Sequence, residues 1–552
     1  MAFSTLALGL GLVSVQLAAC GTSTDDCSAT GTCAPTAGSA SAGSSGKSGG
    51  GSDAGGTPST GGSQNTSGSG GTSGTMGVGG EGGAGMQGCN GDVADDAECW
   101  TTNELGVFVS SEHGNDTNGD GTKENPFATL KKGIATAAGK NVYVCLGDTI
   151  DEYDEQLVID KSMDGLRIYG GFSCEDWSYD AERKPLVHPS SKAIALRVLG
   201  VTKGVKIESM RFQAADASGS GLDASSYGAF ITDSKNVVLK GVTLTAGAGM
   251  KGEDQEQPEQ QPDGAKPGAE QDGEAASCMA AAPDGKPGKW GGLVCETKGG
   301  SGGTGYLSDN GGSGASGLPL QNVNFGAGST DPASPGSDGT IGAPGKAGSV
   351  PKDGPGQGVF AITGFTPAAG ANGGNGAPGQ GGGGGGASKG TAGCRGASGG
   401  AGGMGGCGGI GGKGGQGGGA SVGLFSWSSE ISLSQTTIGS VVGGAGGKGG
   451  DGGFGGAGEG GGAGGKAAPG NVPSNGGGGG HGGGGGTGGN GAGGSGGPSF
   501  AIVFSGAKPT YGDDTKLKPG TGGAKGLGGT SLPTKAPDGS VGDSGDYLDA
   551  TP

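Results

Sequence analysis

Asn125-Pro126-Phe127-Ala128-Thr129-Leu130-Lys131-Lys132-Gly133-Ile134-Ala135-Thr136-Ala137, followed closely by Asn141-Val142-Tyr143-Val144-Cys145-Leu146-Gly147, decides the fold. Phe127, Leu130, Ile134 and Ala137 recur at helical spacing, with Pro126 at a helix-start position. The second run is β-branched and aromatic and reads as a strand. Outward from it, Val107-Phe108-Val109, Glu155 to Ile159 and Gly165 to Phe172 read as further short strands. Lys203 to Phe212 then matches Lys235 to Leu244 position for position, and Ser429 to Ile438 returns to the same frame. A second strand type recurs at Ala195–Val198, Gly228–Thr232, Gly358–Ile362, Gly423–Ser426 and Ser499–Phe504. Side chains alternate across a strand, so each run offers one apolar row that stacked neighbours can bury.

The order of residues from Val107 to Phe172 (V-F-V-S, G-N-D, D-G-T, N-P-F-A-T-L, V-Y-V, L-V-I, G-L-R-I-Y-G-G-F) resembles the N-terminal unit of pectin-lyase-like right-handed parallel β-helices. Such domains occur in Gly-rich, PGRS-like exported bacterial proteins. The resemblance covers residues 105–245 and extends loosely beyond. It implies an all-β fold: a right-handed parallel β-helix with an N-terminal capping helix, interrupted by long Gly-rich loops, after a disordered stalk. The boundaries read as 1–19 signal peptide, 20–88 stalk, 89–246 first coils, 247–356 acidic and Gly-rich excursion, 357–506 further coils with Gly-rich insertions, and 507–552 Gly-rich acidic tail.

Of the 552 residues, 148 are Gly and 31% are hydrophobic, so a core forms only where Val, Ile, Leu and Phe gather. The Gly tracts fall at 247–356, 364–419 and 443–497. Loops inserted at the turns of stacked coils cost little closure entropy. The acidic, Gln/Pro-rich start of the first tract (Gly252 to Pro258) reads as disordered. Gly399 to Lys413 is a Gly-Gly-X repeat with almost no Pro. Period three without Pro excludes collagen and leaves two readings, a bundle of extended Gly-rich helices or flexible coil. The net charge of −18 argues against a nucleic-acid partner.

Leu6 to Leu17 is a short apolar stretch ending in Leu17-Ala18-Ala19-Cys20. This resembles the bacterial lipobox, which implies cleavage before Cys20, a diacylglycerol on its thiol and an outer-membrane or cell-surface location. Met1 to Thr5 carry no Lys or Arg, unlike the usual start of a signal. Thr22 to Gly88 is Ser/Gly/Thr-rich, a flexible spacer of about 45 Å by the square-root rule. Ten cysteines remain after Cys20: Cys27 and Cys33, Cys89 and Cys99, Cys145 and Cys174, Cys278 and Cys295, Cys394 and Cys407. An even count in an exported chain points to disulfides, and pairing between neighbours is the simplest connectivity.

Candidate chemistry is sparse. No catalytic constellation of paired carboxylates or of acids with a basic residue emerges at alternate strand positions. The three histidines, His113, His188 and His481, lie far apart. Asp151, Glu152, Asp154 and Glu155 read as a solvated acidic loop, and Arg167 and Arg197 as solvent-facing. Asp116-Thr117-Asn118-Gly119-Asp120-Gly121 resembles the start of a calcium loop, with Asp116, Asn118 and Asp120 as the candidate Ca²⁺ ligands, but Phe127 stands where the closing Glu belongs. An Asp/Gly-rich turn without metal is the competing reading, and no other cofactor is indicated. The functional expectation is a non-catalytic, structural or adhesive surface lipoprotein, whose partners are the membrane through its lipid and extracellular polysaccharide or envelope components. The alternative is a polysaccharide-binding or polysaccharide-cleaving protein.

Overall fold

The computed structural model describes residues 89, 91–150, 152–279, 282–531 and 534–551. The signal segment, Cys20, the spacer, Cys27 and Cys33 lie outside the described residues.

Among the described residues the regular secondary structure is nearly all β with few helices, and the principal strands form three parallel sheets. The first sheet runs Gly106–Val109, Asn141–Leu146, Arg167–Ser173, Val205–Glu208, Val237–Lys240, Ile431–Ser434, Thr510–Tyr511. The second runs Leu157–Asp160, Ile194–Leu199, Ser226–Thr232, Ser421–Trp427, Ser499–Ser505, Ser544–Asp549. The third runs Glu152–Tyr153, Leu186–Val187, Arg211–Gln213, Thr243–Thr245, Thr437–Gly439, Lys516–Lys518. From Asn141 the chain visits first, third and second sheet in constant rotation, each circuit hydrogen-bonding to the one before. Equivalent positions stack: Ile207, Leu239 and Leu433 line one column, Phe212, Leu244 and Ile438 another. These columns meet Leu196, Ala229 and Leu424 in one core.

The helix covers Leu130–Thr136, shorter at its start than the spacing predicts. Thr129 caps it, and Phe127 leaves it to bridge Val109 while still entering the core. Leu130 and Ile134 pack over the first two strands of the first sheet. The helix start draws its acceptors from afar. Glu155 takes the Leu130 and Lys131 N–H groups (2.6 and 3.0 Å), and Asp116 takes those of Ala128 and Thr129. Glu155 therefore has a structural role, which corrects its reading as part of a solvated loop; burial pushes its carboxyl up against the pull of those N–H bonds. Negative charge at a helix start is where the dipole favours it.

The Gly-rich excursions all leave at one corner, between third and second sheet, as residues 246–420, 440–498 and 519–543. There they form a laterally hydrogen-bonded bundle. Leg 249–264 pairs with leg 442–457 in parallel (Gly249 to Val442, Gly252 to Ala445, Gln255 to Lys448), so the expectation of disorder is overturned. Leg 444–465 pairs antiparallel with leg 398–419 and with leg 476–497. Bonds recur every third residue and join different legs, the pattern of polyproline II-type helices with three residues per turn. The legs continue the ladders of the sheets: Thr243↔Thr437 and Thr437↔Lys516 lead into Gly249 to Val442 and Gly443 to Thr521. Circuits stacked about 4.8 Å apart deliver their excursions at that spacing, which leaves no room for side chains between legs.

The glycines of the legs have no positive φ, so what they supply is space. At Gly383 a Cβ would stand 1.6 Å from the Asn324 carbonyl oxygen, and at Gly485 1.9 Å from that of Cys407. Glycine content follows the number of neighbours. Leg 342–348, Gly-x-x, lies between legs 374–380 and 481–487; the Gly-Gly-X leg 403–418 touches four others. Gly382, Gly383 and Gly384 donate to Gly403, Thr340 and Ala315 and accept from Gly300, Gly480 and Gly326. That stretch, six glycines from Gly381 to Gly386, is surrounded on all sides and buried.

Three further expectations are corrected. Val359–Ala361 forms an antiparallel hairpin with Gly364–Thr366 and joins none of the parallel sheets. Residues 507–552 are no mere tail, because they supply strands to all three sheets. Cys89 bonds Cys99 and Cys145 bonds Cys174, but Cys278 bonds Cys394 and Cys295 bonds Cys407, so pairing between neighbours fails in the bundle. Antiparallel legs bring residues more than 100 positions apart into contact, which decides those two pairs.

Candidate functional site

The second sheet sends Leu196, Ala229 and Leu424 into the main core, and Ile194, Tyr227, Phe230, Val422, Phe425, Phe500 and Val503 to a second cluster on its outer side. Register sets Arg197, Phe230 and Phe425 side by side on successive strands, with Thr232 and Trp427 one step along. The rings stack: Phe230 on Phe425 at 4.5 Å and Phe425 on Trp427 at 5.7 Å. The Arg197 guanidinium closes the column, 5.6 Å from the Phe230 centroid. Arg197 is thus half-buried against a ring, which corrects its solvent-facing reading.

The hairpin at 359–366 lies over this face. Tyr227 Oη accepts the Phe365 N–H at 2.9 Å, and burial pushes the Tyr227 hydroxyl up to about 12. Gly364, at φ +100°, sits where a Cβ would strike that hydroxyl at 2.8 Å, so the turn needs glycine. Between hairpin and sheet opens a cavity of ≈ 500 Å³ lined by Arg197, Leu222, Phe230, Thr232, Ile362 and Phe365, among others.

The first sheet carries a polar cleft of ≈ 550 Å³ that includes Tyr179, Lys184, Glu208, Lys240, Asp514 and Lys516. Glu208, whose side chain is 3% exposed, lies 2.7 Å from Lys240 and 3.0 Å from Lys206. Asp92 meets both lysines and is held below the usual carboxylate range: burial raises it, and its bonds to Lys206 and the Val93 N–H outweigh that. A carboxylate clasped by two ammonium groups serves as their counter-ion, whereas acid–base hydrolysis needs two carboxyls with room for substrate between them.

The candidate calcium residues are engaged locally. Asp116 also accepts the Thr129 hydroxyl, and Asp120 accepts the N–H and hydroxyl of Thr122. Asn118 donates its N–H to the Asn115 side chain. No group of three His, Cys, Asp or Glu that could hold a metal occurs among the described residues.

A third device escaped sequence reasoning. N–H groups of the legs that find no backbone acceptor are met by Asp and Asn side chains of an adjoining leg. Asp254, Asp263 and Asp272 accept from Lys448, Ala457 and Ala463, while Asp338, Asn372 and Asn375 accept from Gly478, Gly414 and Gly411. The spacing of those acids and amides in multiples of three, Asp254, Asp263 and Asp272 or Asn372 and Asn375, was the available signal.

No family model and no curated protein matches this chain. Among solved structures, a GH136 lacto-N-biosidase from Eubacterium ramulus overlaps 25% of this chain and 27% of its own, at 13% identity and a TM-score of 0.17. A pectin methylesterase from Aspergillus niger overlaps 26% of this chain and 58% of its own, at 15% identity and a TM-score of 0.14. The chain thus spans about a quarter of the first neighbour and somewhat over half of the second.

Proposed function

We propose that this protein is an exported, non-catalytic scaffold: a right-handed parallel β-helix, tethered to the outer membrane by a lipid on Cys20, that displays a rigid polyglycine plate for structural or adhesive contact at the cell surface. The observation that carries it is the common corner from which all three excursions leave to complete one another's hydrogen bonds. Gly is the residue with the most entropy to lose on ordering, so a bundle of this size needs many simultaneous bonds to persist. The four disulfides among the described residues support an oxidising compartment. The matrix partner is envelope material or polysaccharide. The test is protease shaving of whole cells and a matrix-adhesion assay on wild type, Cys20→Ala and Gly485→Ala. The reading expects lipid label and surface exposure to vanish with Cys20→Ala, and adhesion to fall when Gly485→Ala loosens the plate. Unchanged adhesion with a loosened plate, or turnover of a polysaccharide by the purified protein, overturns it.

A further inference from the structure

We propose that the cavity between the 359–366 hairpin and the second sheet is a binding site for a small aromatic carboxylate, held by Arg197. This goes beyond the scaffold role and stands on different residues. The chain has 51 acidic and 33 basic residues, yet no ion pair to Arg197 occurs among the described residues. Its Nε is buried without an acceptor, and its guanidinium faces Phe230. A half-buried cation without a carboxylate keeps an unmet demand, since buried charges are ordinarily paired. The contrast within this molecule lies in the carboxylate: Arg395, whose Nε likewise lacks an acceptor, has its terminal nitrogens met by Glu274 at 2.7 Å and the Pro283 carbonyl at 2.9 Å.

The walls name the rest of the ligand. Phe230, Phe365, Leu222 and Ile362 are apolar, and Thr232 and Thr363 offer hydroxyls nearby. Trp427, Phe425, Phe230 and Arg197 already form one stacked column. Inside the cavity a planar ring packs among Phe230, Leu222, Ile362 and Phe365, with its substituent towards the Arg197 guanidinium. A ring bearing a carboxylate meets both demands, as guanidinium groups both stack and form paired hydrogen bonds to carboxylates. The ≈ 500 Å³ volume suits a molecule of one or two fused rings.

The experiment titrates the intact protein with 2-naphthoate, followed by its fluorescence anisotropy, beside the neutral 2-naphthylmethanol and the sugar acid galacturonate. One saturable site is expected for naphthoate, with binding to Arg197→Gln weakened about tenfold or more, the worth of one charge-assisted bond. Ile362→Trp, on the exposed hairpin, closes the mouth without touching Arg197 and is expected to abolish binding. No saturable naphthoate site, equal affinity for naphthylmethanol, tighter binding of galacturonate, or Arg197→Gln binding within twofold of wild type overturns the proposal. Unchanged binding in Ile362→Trp moves the site elsewhere and equally overturns it.

Discussion

Gly484 and Gly485 are adjacent in Gly482-Gly483-Gly484-Gly485-Gly486, yet substitution by alanine should have opposite effects at the two. A Cβ on Gly485 would stand 1.9 Å from the Cys407 carbonyl oxygen and 2.5 Å from its carbon. Ordinary contact begins near 3.4 Å, so leg 398–419 must retreat by roughly 1.5 Å. Such a shift breaks the flanking bonds Gly406 to Gly483 (3.0 Å) and Gly409 to Gly486 (2.8 Å). Overpacking of about 1–3 kcal/mol and two lost bonds at about 1 kcal/mol each place the cost near 3–5 kcal/mol. On Gly484 the nearest atom to a Cβ is the Gly456 oxygen at 3.7 Å. There alanine only restricts the unfolded chain and should stabilise by about 0.4–1 kcal/mol. Native-state hydrogen exchange reads the difference directly. The amides of Gly406 and Gly409, which donate those two bonds, should exchange faster by about two to three and a half orders of magnitude in Gly485→Ala, at tenfold per 1.4 kcal/mol, and no faster in Gly484→Ala. Equal protection in the two variants would refute the packed bundle.

Three other outcomes follow from the same geometry. Asp263→Ala should weaken the bundle by about 0.5–1.5 kcal/mol, because the Ala457 N–H loses its acceptor, while Asp263→Asn should preserve it; urea midpoints decide. Acid should loosen the protein. At Asp164 burial pushes the carboxyl up, but bonds from Lys203, Thr202 and Gly204 outweigh this and hold it at about 2; Lys535 and the Gly528 N–H likewise depress Asp538. Groups depressed on folding stabilise above their unfolded value of about 4 and lose that contribution as pH falls towards the folded value. Melting temperature should therefore decline below pH 4, and a flat profile down to pH 2 contradicts it. Replacing Cys295 and Cys407 with Ser removes a link across 112 residues and should cost about 2–5 kcal/mol, measured by denaturant unfolding under non-reducing conditions.

Much of the β part was legible because its signal is local. The repeat of Lys203–Phe212 at Lys235–Leu244 and Ser429–Ile438 corresponds to stacked strands in the first and third sheets, and period two alone gives the buried columns. Val359–Phe360–Ala361 has the same local pattern and folds otherwise, since its partner is the strand three residues on. Arg197 looked solvent-facing because its neighbours alternate; only stacking across strands put Phe230 beneath it.

The sequence by itself determined a period of three in the Gly tracts, a period of two in the strands, and a cysteine count that favours disulfides. Tertiary structure decided which glycines are needed. In Gly482 to Gly486 every residue is chemically identical, and nothing along the chain separates Gly484 from Gly485. The distinction arises from where a Cβ would point: towards open space at one, into the carbonyl of a leg nearly 80 residues away at the other. The same holds for Cys278 and Cys295, whose partners were set by antiparallel legs brought together at one corner of the stacked circuits. Backbone hydrogen bonds between legs carry no side-chain signature, and only the assembled bundle shows them.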